Sequence, residues 1–255
     1  MLLTHVEHHE PHAAFRPALI ADWTDAVFIH FAISPAELQP HVPFELDTRD
    51  GVAYVSLVAF TQRRLRPSFG GRMAEVLSTP VAQHEFLNIR TYVRVGQERG
   101  IFFLAEWIPN RLAALVGPPL YGLPYRVGRL RYAHDLTAGR ITGHVAAADG
   151  QVAFEGSLDG TTFDTAGEET LGEFLVERYT AWTYRHGVAR RFRIRHAPWP
   201  VARARVAVTR RDLLDDLCGG LVGDLDVSAA HVSPGVFDVE ISLPQRCDRR
   251  TEQWQ

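Results

Sequence analysis

The chain has 255 residues, of which 46% are hydrophobic and 22% are charged, a composition typical of a globular protein with a substantial core. Its formal net charge is -3 at pH 7, and it lacks a zinc-finger pattern, an RNP-like aromatic run and a glycine-rich phosphate loop, so nucleic acid is not an expected partner. The N-terminus turns polar at once and no apolar run approaches the ~18 residues that span a bilayer, which predicts a cytoplasmic protein with no membrane partner.

Strands account for most of the predicted structure. Apolar and polar residues alternate in eight segments that are enriched in β-branched and aromatic side chains, as expected for strands that bury one face. In chain order these segments are residues 53–61, 85–95, 101–107, 125–134, 141–147, 188–196, 202–208 and 236–243.

Helices are fewer and are recognised by their start signals. SPAE at 34–37 and TAGE at 165–168 are capping boxes, in which the first and fourth side chains satisfy free backbone amides. The segment 209–212 offers a similar start. A short helix over 110–116 is expected to end at Gly117 and to be stopped by the two prolines that follow.

These elements predict an α+β fold in which a few short helices pad a mostly antiparallel sheet. No linker or repeat divides the chain, so residues 22–243 are expected to form one domain. Residues 1–21 are expected to be a flexible, His-rich segment and residues 244–255 a tail. The two cysteines, Cys218 and Cys247, form neither a redox motif nor a disulfide framework.

The segment HEFLNIRTYV at 84–93 places polar groups on both faces of one predicted strand. Glu85 shares a face with the apolar residues, and a buried carboxylate must be hydrogen-bonded, paired or protonated. Because a raised pKa suits a general acid or base, Glu85 is a candidate catalytic residue, with an ion pair to an arginine as the alternative. The opposite face carries Asn88, Arg90 and Tyr92, which either line a wet interior or face bulk water.

A second carboxylate lies in GIFFLAEW at 100–107, a segment that is apolar on both faces. Such a segment is typical of a central strand covered on both sides. Its carboxylate, Glu106, is therefore either buried at a site or exposed at the strand end.

The segment LYGLPYRVGRLRY at 120–132 uses a Gly-Leu-Pro turn to begin a strand with Tyr125 and Arg126. Neighbouring strand residues point to opposite faces, so only one of the two should enter a common pocket. A phenol becomes a stronger acid beside a cation, and an arginine can bind a carboxylate through two hydrogen bonds. The alternative places Tyr125 in the core and Arg126 in a surface ion pair. All 27 Lys and Arg residues are arginine, so the chain has no side-chain amine.

Together with VFIHFAISPAELQPHVPFELDTRDGVAYVSLVAF at 27–60, FLVERYTAWTY at 174–184 and HAPWP at 196–200, these segments resemble the uncharacterised YqjF-like family. That family is related to the acetoacetate decarboxylase-like fold. The resemblance covers residues 22–243 in order, and it implies a curled, barrel-like mixed sheet around a small-molecule pocket.

The resemblance also bears on the chemistry. In acetoacetate decarboxylases the equivalent turn looks like Gly-Phe-Pro-Lys-Lys, where the first lysine forms a Schiff base with the keto acid and the second lowers its pKa. Tyr125 and Arg126 stand at those two places, and neither a phenol nor a guanidinium forms an imine. In these relatives an acidic residue from a comparable strand lies in the pocket, which favours Glu85.

Two interpretations remain open. The chain either binds a small, anionic carboxylate or keto-acid-like ligand without catalysis, or it acts as a cofactor-independent enzyme in which Glu85 and Tyr125 transfer protons. In both, the expected ligand contacts come from Arg126, Arg90, Asn88 and Glu106. No cofactor is expected, and a homodimer is the default assembly. No metal is expected either, because no Cys or acidic set accompanies the N-terminal histidines His5, His8, His9 and His12.

Overall fold

The computed structural model describes residues 15–247 and consists mainly of strands. The strands are β1 Pro17–Ile33, β2 Glu45–Leu46, β3 Ala53–Pro67, β4 His84–Val95, β5 Glu98–Ile108, β6 Tyr125–Tyr132, β7 Arg140–Ala147, β8 Gly150–Leu158, β9 Asp164–Thr165, β10 Thr180–Arg185, β11 Val188–Arg195, β12 Pro200–Arg210, β13 Val227–Ser242 and β14 Gln245–Cys247. The α-helices are α1 Pro35–Leu38, α2 Gly71–Ser78, α3 Arg111–Tyr121, α4 Leu171–Val176 and α5 Asp212–Asp215. Short 3-10 helices cover Gln39–His41, Thr79–Val81 and Leu217–Gly220.

Five long strands form a wall through the middle of the protein. They pair antiparallel in the order β13, β1, β3, β4, β5. Both faces of the wall are buried, because Val27, Ile29 and Phe31 enter one hydrophobic core while Ala26 and Phe28 enter another. Successive side chains of a strand point to opposite faces, so a wall covered on both sides requires a nearly continuous apolar sequence.

Two groups of strands connect β5 and β13, the edge strands of this wall. Strands β6, β7, β8 and β12 connect the C-terminal part of β5 to the N-terminal part of β13. Strands β10 and β11 connect the N-terminal part of β5 to the C-terminal part of β13. The sheet therefore closes into two rings that share the wall, and each ring encloses one core. The expected α+β fold, with a curled, barrel-like mixed sheet and few short helices, is confirmed.

All eight predicted strands are present, and the structure adds others, notably β1, β8 and β10. The strand β1 was missed because VFIHFAI is buried on both faces and shows no alternation. The sheet also extends past the expected domain bounds of 22–243, since β1 begins at Pro17 and β14 pairs with β11. The N-terminal histidines lie outside the described residues.

The prediction of a helix beginning at the TAGE box was wrong. Thr165 lies in β9, where it pairs with Pro200 of β12. The helix α4 begins five residues later, at a second box of the same pattern, TLGE at 170–173. There Thr170 Oγ1 accepts a hydrogen bond from the Glu173 amide at 3.2 Å, and the Glu173 carboxylate accepts one from the amide that precedes the cap.

The other two predicted helix starts are present, but neither has the side-chain cap that its sequence suggests. The helix α1 begins at Pro35, but the Ser34 side chain makes no capping hydrogen bond. Its carbonyl accepts hydrogen bonds from the amides of Glu37 and Leu38 instead. The segment 209–212 leads into α5, which is only four residues long and also lacks a side-chain cap.

The prediction that Gly117 ends its helix was also wrong. The helix α3 is capped by Asn110, but it continues through Pro118 and Pro119 and ends at Gly122, which has a φ of 75°. The two prolines remove only two intrahelical hydrogen bonds. Gly117 does not end the helix; it lets the helix backbone approach the Tyr125 ring closely, because a Cβ atom there would lie 2.3 Å from Cε2 of Tyr125. No helix in the described part of the chain is long and apolar enough to cross a membrane.

Candidate functional site

A cavity of about 400 Å³ lies inside the ring that β10 and β11 close. Its lining is mainly apolar and includes Phe28, Phe86, Phe103 and Trp199. Apart from tryptophans, the lining side chains that can form hydrogen bonds are Gln62, His84, Asn88, Arg90, Glu106, Tyr121, Tyr125, Arg178 and His196. A largely apolar cavity of this volume with a few convergent polar groups is typical of a small-molecule site.

Strand register brings three of these polar residues into one row. Asn88 of β4 is the register partner of Glu106 of β5, and Glu106 is the register partner of Tyr125 of β6. Register partners place their side chains on the same face of a sheet, with Cβ atoms ~5 Å apart. Three residues that are far apart in sequence therefore form one polar edge of the cavity.

Glu106 is the acidic group of this row. It is only 3% exposed, and burial raises its pKa well above the ordinary value of 4.5. Its Oε2 atom has no hydrogen-bond partner among residues 15–247. Burial without a partner favours the protonated acid, which can donate a hydrogen bond to a ligand.

Tyr125 reaches the cavity, and its neighbours hold its ring in place. The ring packs edge-on against Phe86, with 5.8 Å between centroids, and lies beneath Gly117 of α3. Burial, followed by the nearby Glu106, raises the pKa of Tyr125 well above 10. The expectation of a phenol acidified by a neighbouring cation was wrong, because the neighbouring Arg126 points away; Tyr125 is a hydrogen-bond donor at neutral pH.

Arg126 and Glu85 lie outside the cavity. Arg126 donates to Asp149 at 2.6 Å and stacks over Trp107, which is the surface alternative considered from the sequence. Glu85 is half-buried on the opposite face of β4, near Tyr132. It forms no ion pair with an arginine within residues 15–247. The expectation that Glu85 shares a pocket with Tyr125 and Glu106 is not met.

Two buried arginines line the cavity, and they differ in their partners. Arg178 lies 3.1 Å from Asp47, its ion-pair partner, and burial lowers the pKa of Arg178 to about 10. Arg90 donates to the carbonyl of Leu175 at 3.2 Å and lies 5.7 Å from the ring centroid of Phe28. The Nε atoms of both arginines lack a hydrogen-bond partner within residues 15–247, and Arg90 differs from Arg178 in having no acidic partner there.

A chain of buried hydrogen bonds lies behind Arg90 and fixes the same carbonyl. Tyr92 donates to Leu175 O at 2.7 Å, so its oxygen is free to accept from Ser56 Oγ, 2.6 Å away. Ser56 then accepts from Nδ1 of His30 at 2.7 Å. Nε2 of His30 in turn accepts from Nδ1 of His231 at 3.1 Å. The direction of donation therefore assigns the neutral Nδ1–H tautomer to both histidines.

Some cavity residues were not among the sequence candidates. His84 is buried in the cavity wall, and burial lowers its pKa to about 4. His196 contacts the Ala197 carbonyl at 2.7 Å through Nδ1, at the exit of β11, and also lines the cavity. Arg178 follows α4 directly, and no periodicity in the sequence marks it as buried. No group of three or more metal-ligating side chains occurs within residues 15–247.

The fold is acetoacetate decarboxylase-like. An acetoacetate decarboxylase-like enzyme from Sphingomonas wittichii RW1 matches with a TM-score of 0.65 at 16% identity, over 96% of this chain and 98% of that chain. The enduracididine biosynthesis enzyme MppR complexed with pyruvate matches with a TM-score of 0.66 at 13% identity, over 94% of this chain and 95% of that chain.

Within this fold, the chain belongs to the DUF2071 family, described as an uncharacterized conserved protein, whose sequence profile matches residues 20–236. It is 28% identical over 198 residues to the uncharacterized protein YqjF of Bacillus subtilis (strain 168). The alignment covers 76% of this chain and 78% of that protein. The resemblance to the YqjF-like family is confirmed.

Proposed function

We propose that the cavity binds a small carboxylate of the keto-acid type, with Arg90 as the partner of the anion. The observation that carries this proposal is the contrast between the two buried arginines. Arg178 has an acidic partner in Asp47, a carboxylate that it shares with Arg99, whereas Arg90 has no acidic partner among the described residues. A buried cation without a counter-ion is costly, and an anionic ligand supplies the missing charge.

The polar row next to Arg90 suits the rest of a keto acid. Arg90 and Asn88 are two residues apart on the same face of β4, a separation of roughly 7 Å along the strand. A ligand whose carboxylate contacts Arg90 places its carbonyl oxygen near Asn88, Glu106 and Tyr125. The protonated Glu106 and the Tyr125 hydroxyl can both donate to that oxygen. The pyruvate bound to MppR, a protein of similar fold, supports the same ligand class.

Schiff-base decarboxylation is not part of this proposal. An imine forms only from a neutral primary amine, and all 27 Lys and Arg residues of the chain are arginine. The side chain at the turn that leads into β6 is the Tyr125 phenol, which cannot supply the amine.

A second candidate function is cofactor-independent proton transfer on the bound keto acid. The sequence suggested Glu85 and Tyr125 for this role, but Glu85 lies outside the cavity, so the acid is reassigned to Glu106. In its carboxylate form Glu106 would take an α-proton from the bound keto acid and return it, and the raised pKa of Glu106 makes that carboxylate a stronger base. The Tyr125 hydroxyl would donate to the developing enolate oxygen. Exchange of the α-protons of pyruvate for deuterium, followed by NMR, would detect this activity. The Glu106→Gln variant should abolish it.

The binding proposal is tested by titrating pyruvate and acetoacetate into wild-type protein and the Arg90→Met variant by calorimetry. Loss of hydrogen bonds to a charged group costs ~1.5–3 kcal/mol, so affinity should fall roughly ten- to hundredfold. The matched control is Arg126→Met, which removes an arginine outside the cavity and should leave affinity unchanged. Equal affinity in the wild type and a folded Arg90→Met protein would remove Arg90 as the anion partner. If Arg90→Met fails to fold, Arg90→Lys is used, and it should retain part of the affinity.

A further inference from the structure

The shape of the cavity beyond the polar row indicates the substrate class. We propose that the ligand is a carboxylate with an extended apolar chain, which runs from Arg90 and Glu106 to an opening beneath α3. This inference rests on the carboxylate site proposed above and adds the chemical nature of the rest of the ligand.

The first argument is volume and lining. The cavity measures about 400 Å³, and beyond the polar row its wall includes Val58, Phe60, Ile101, Phe192 and Ile194. A ligand the size of pyruvate would satisfy the polar row and leave most of this volume unfilled. Apolar cavities stay dry and are stabilised by apolar occupants. The lining therefore favours a hydrocarbon or aryl chain.

The second argument is an apolar opening. Leu112, Val116 and Leu120 lie one turn apart on α3 and line the cavity, yet they are 50%, 52% and 48% exposed. Side chains that contact both the cavity and solvent form the edge of an opening. Leu65 of β3 and Val81 of the adjoining 3-10 helix also line the cavity. The opening offers van der Waals contacts to a chain, and none of these five side chains has a hydrogen-bonding group.

The third argument is the fixed position of α3. Asn110 caps the helix through the amides of Leu112 and Ala113, and its side-chain nitrogen donates to the carbonyl of Pro80 at 2.6 Å. This contact ties the helix start to the 3-10 helix Thr79–Val81. At Gly117 the helix rests directly on the Tyr125 ring. The opening is therefore built from packed elements and has a defined apolar edge.

The inference predicts a dependence of affinity on chain length. Burial of one methylene group contributes ~0.8 kcal/mol, which is about fourfold in affinity. In the series pyruvate, α-ketobutyrate, α-ketohexanoate and α-ketooctanoate, affinity should rise by about this factor for each added methylene. The five methylene groups added from pyruvate to α-ketooctanoate should together raise the affinity by about a thousandfold. Calorimetry on the full-length protein measures each step.

A variant at the opening tests whether the hydrocarbon chain of the ligand lies there. Val116→Trp fills the opening and should abolish the gain in affinity that the two longest acids show over pyruvate. Leu115→Trp is the matched control, because Leu115 is on the same helix, 72% exposed and not part of the cavity lining. It should leave the whole series unchanged. Thermal unfolding of both variants checks that each is folded.

The possible results separate this inference from the binding proposal. The inference of an extended apolar chain on the ligand is wrong if all the acids bind and their affinity is independent of chain length. It is also wrong if Val116→Trp and Leu115→Trp behave alike. In both cases the proposed carboxylate site stands. If octanol, titrated beside the series, binds as tightly as α-ketooctanoate, the site for the apolar chain is supported and the role of Arg90 fails. If no carboxylate of any length binds, both the carboxylate site and the chain inference are overturned.

Discussion

Replacing Glu106 by glutamine should remove a defined part of the pH dependence of stability. Burial raises the pKa of Glu106 well above 4.5, so the folded protein keeps a proton that the unfolded chain releases as the pH rises past 4.5. The contribution is favourable and complete below pH 4.5, and it is lost as the pH rises toward the folded pKa. In that window the unfolding free energy of the wild type falls, relative to Glu106→Gln, by ~1.4 kcal/mol for each pH unit.

The assay is reversible urea unfolding of both proteins at pH 5 and pH 6. Between these two values the difference in unfolding free energy should change by ~1.4 kcal/mol, equivalent to roughly 3–5 °C in midpoint temperature for a domain of this size. Comparison with the variant is essential, because burial lowers the pKa of His30 and His231 and gives those groups a pH dependence of opposite sign. Glu85→Gln, which replaces a half-buried glutamate on the other face of β4, is the matched control. A difference between wild type and Glu106→Gln that stays constant from pH 5 to pH 6 would refute a buried, protonated Glu106.

Three further substitutions probe the packing around the site. Gly117→Ala places a Cβ atom 2.3 Å from the Tyr125 ring and should destabilise the protein by ~1–3 kcal/mol in thermal unfolding, and weaken pyruvate binding. Ser56→Ala leaves the buried Nδ1–H of His30 without an acceptor and should cost ~1–3 kcal/mol in urea unfolding. Tyr125→Lys should form a borohydride-trapped adduct with acetoacetate, detected as a mass increase, because burial lowers the pKa of an introduced amine.

Each of these has a control on the same chain. Gly167→Ala, where the nearest atom is 3.4 Å away, and Ser157→Ala, at an exposed position, should each change stability by less than ~0.5 kcal/mol. Arg126→Lys puts an amine outside the cavity and should stay unmodified by acetoacetate. An unmodified lysine in a folded Tyr125→Lys protein would contradict the placement of residue 125 in the cavity.

Much of the fold was readable from the sequence, because most strands bury one face and alternate accordingly. The exception is β1, whose two faces both lie against cores, so its pattern is continuous. Helix starts were less certain, since the same T-x-x-E pattern occurs at 165–168 and 170–173 and only tertiary pairing decides which one forms. Gly117 was misread because a packing glycine and a terminating glycine are identical in sequence.

For the site, the sequence predicts only which side chains share a face of one strand. The alternation of β4 places Asn88 and Arg90 together, and that of β6 separates Tyr125 from Arg126. The choice between Glu85 and Glu106 depends on which face of the wall holds the cavity, and on the register between β4 and β5. The sequence shows neither the face that holds the cavity nor this register. The contrast between Arg90 and Arg178 depends on Asp47, more than forty positions from Arg90 and more than a hundred from Arg178.

The two rings that share one wall separate the tasks of folding and recognition. The ring closed by β6, β7, β8 and β12 encloses a core of aliphatic and aromatic side chains, whereas the other ring holds the cavity. Substitutions that reshape the cavity leave the first core in place, and the free energy it contributes can absorb their cost. The architecture thus allows side chains of the cavity to change while the core of the first ring still supports the fold.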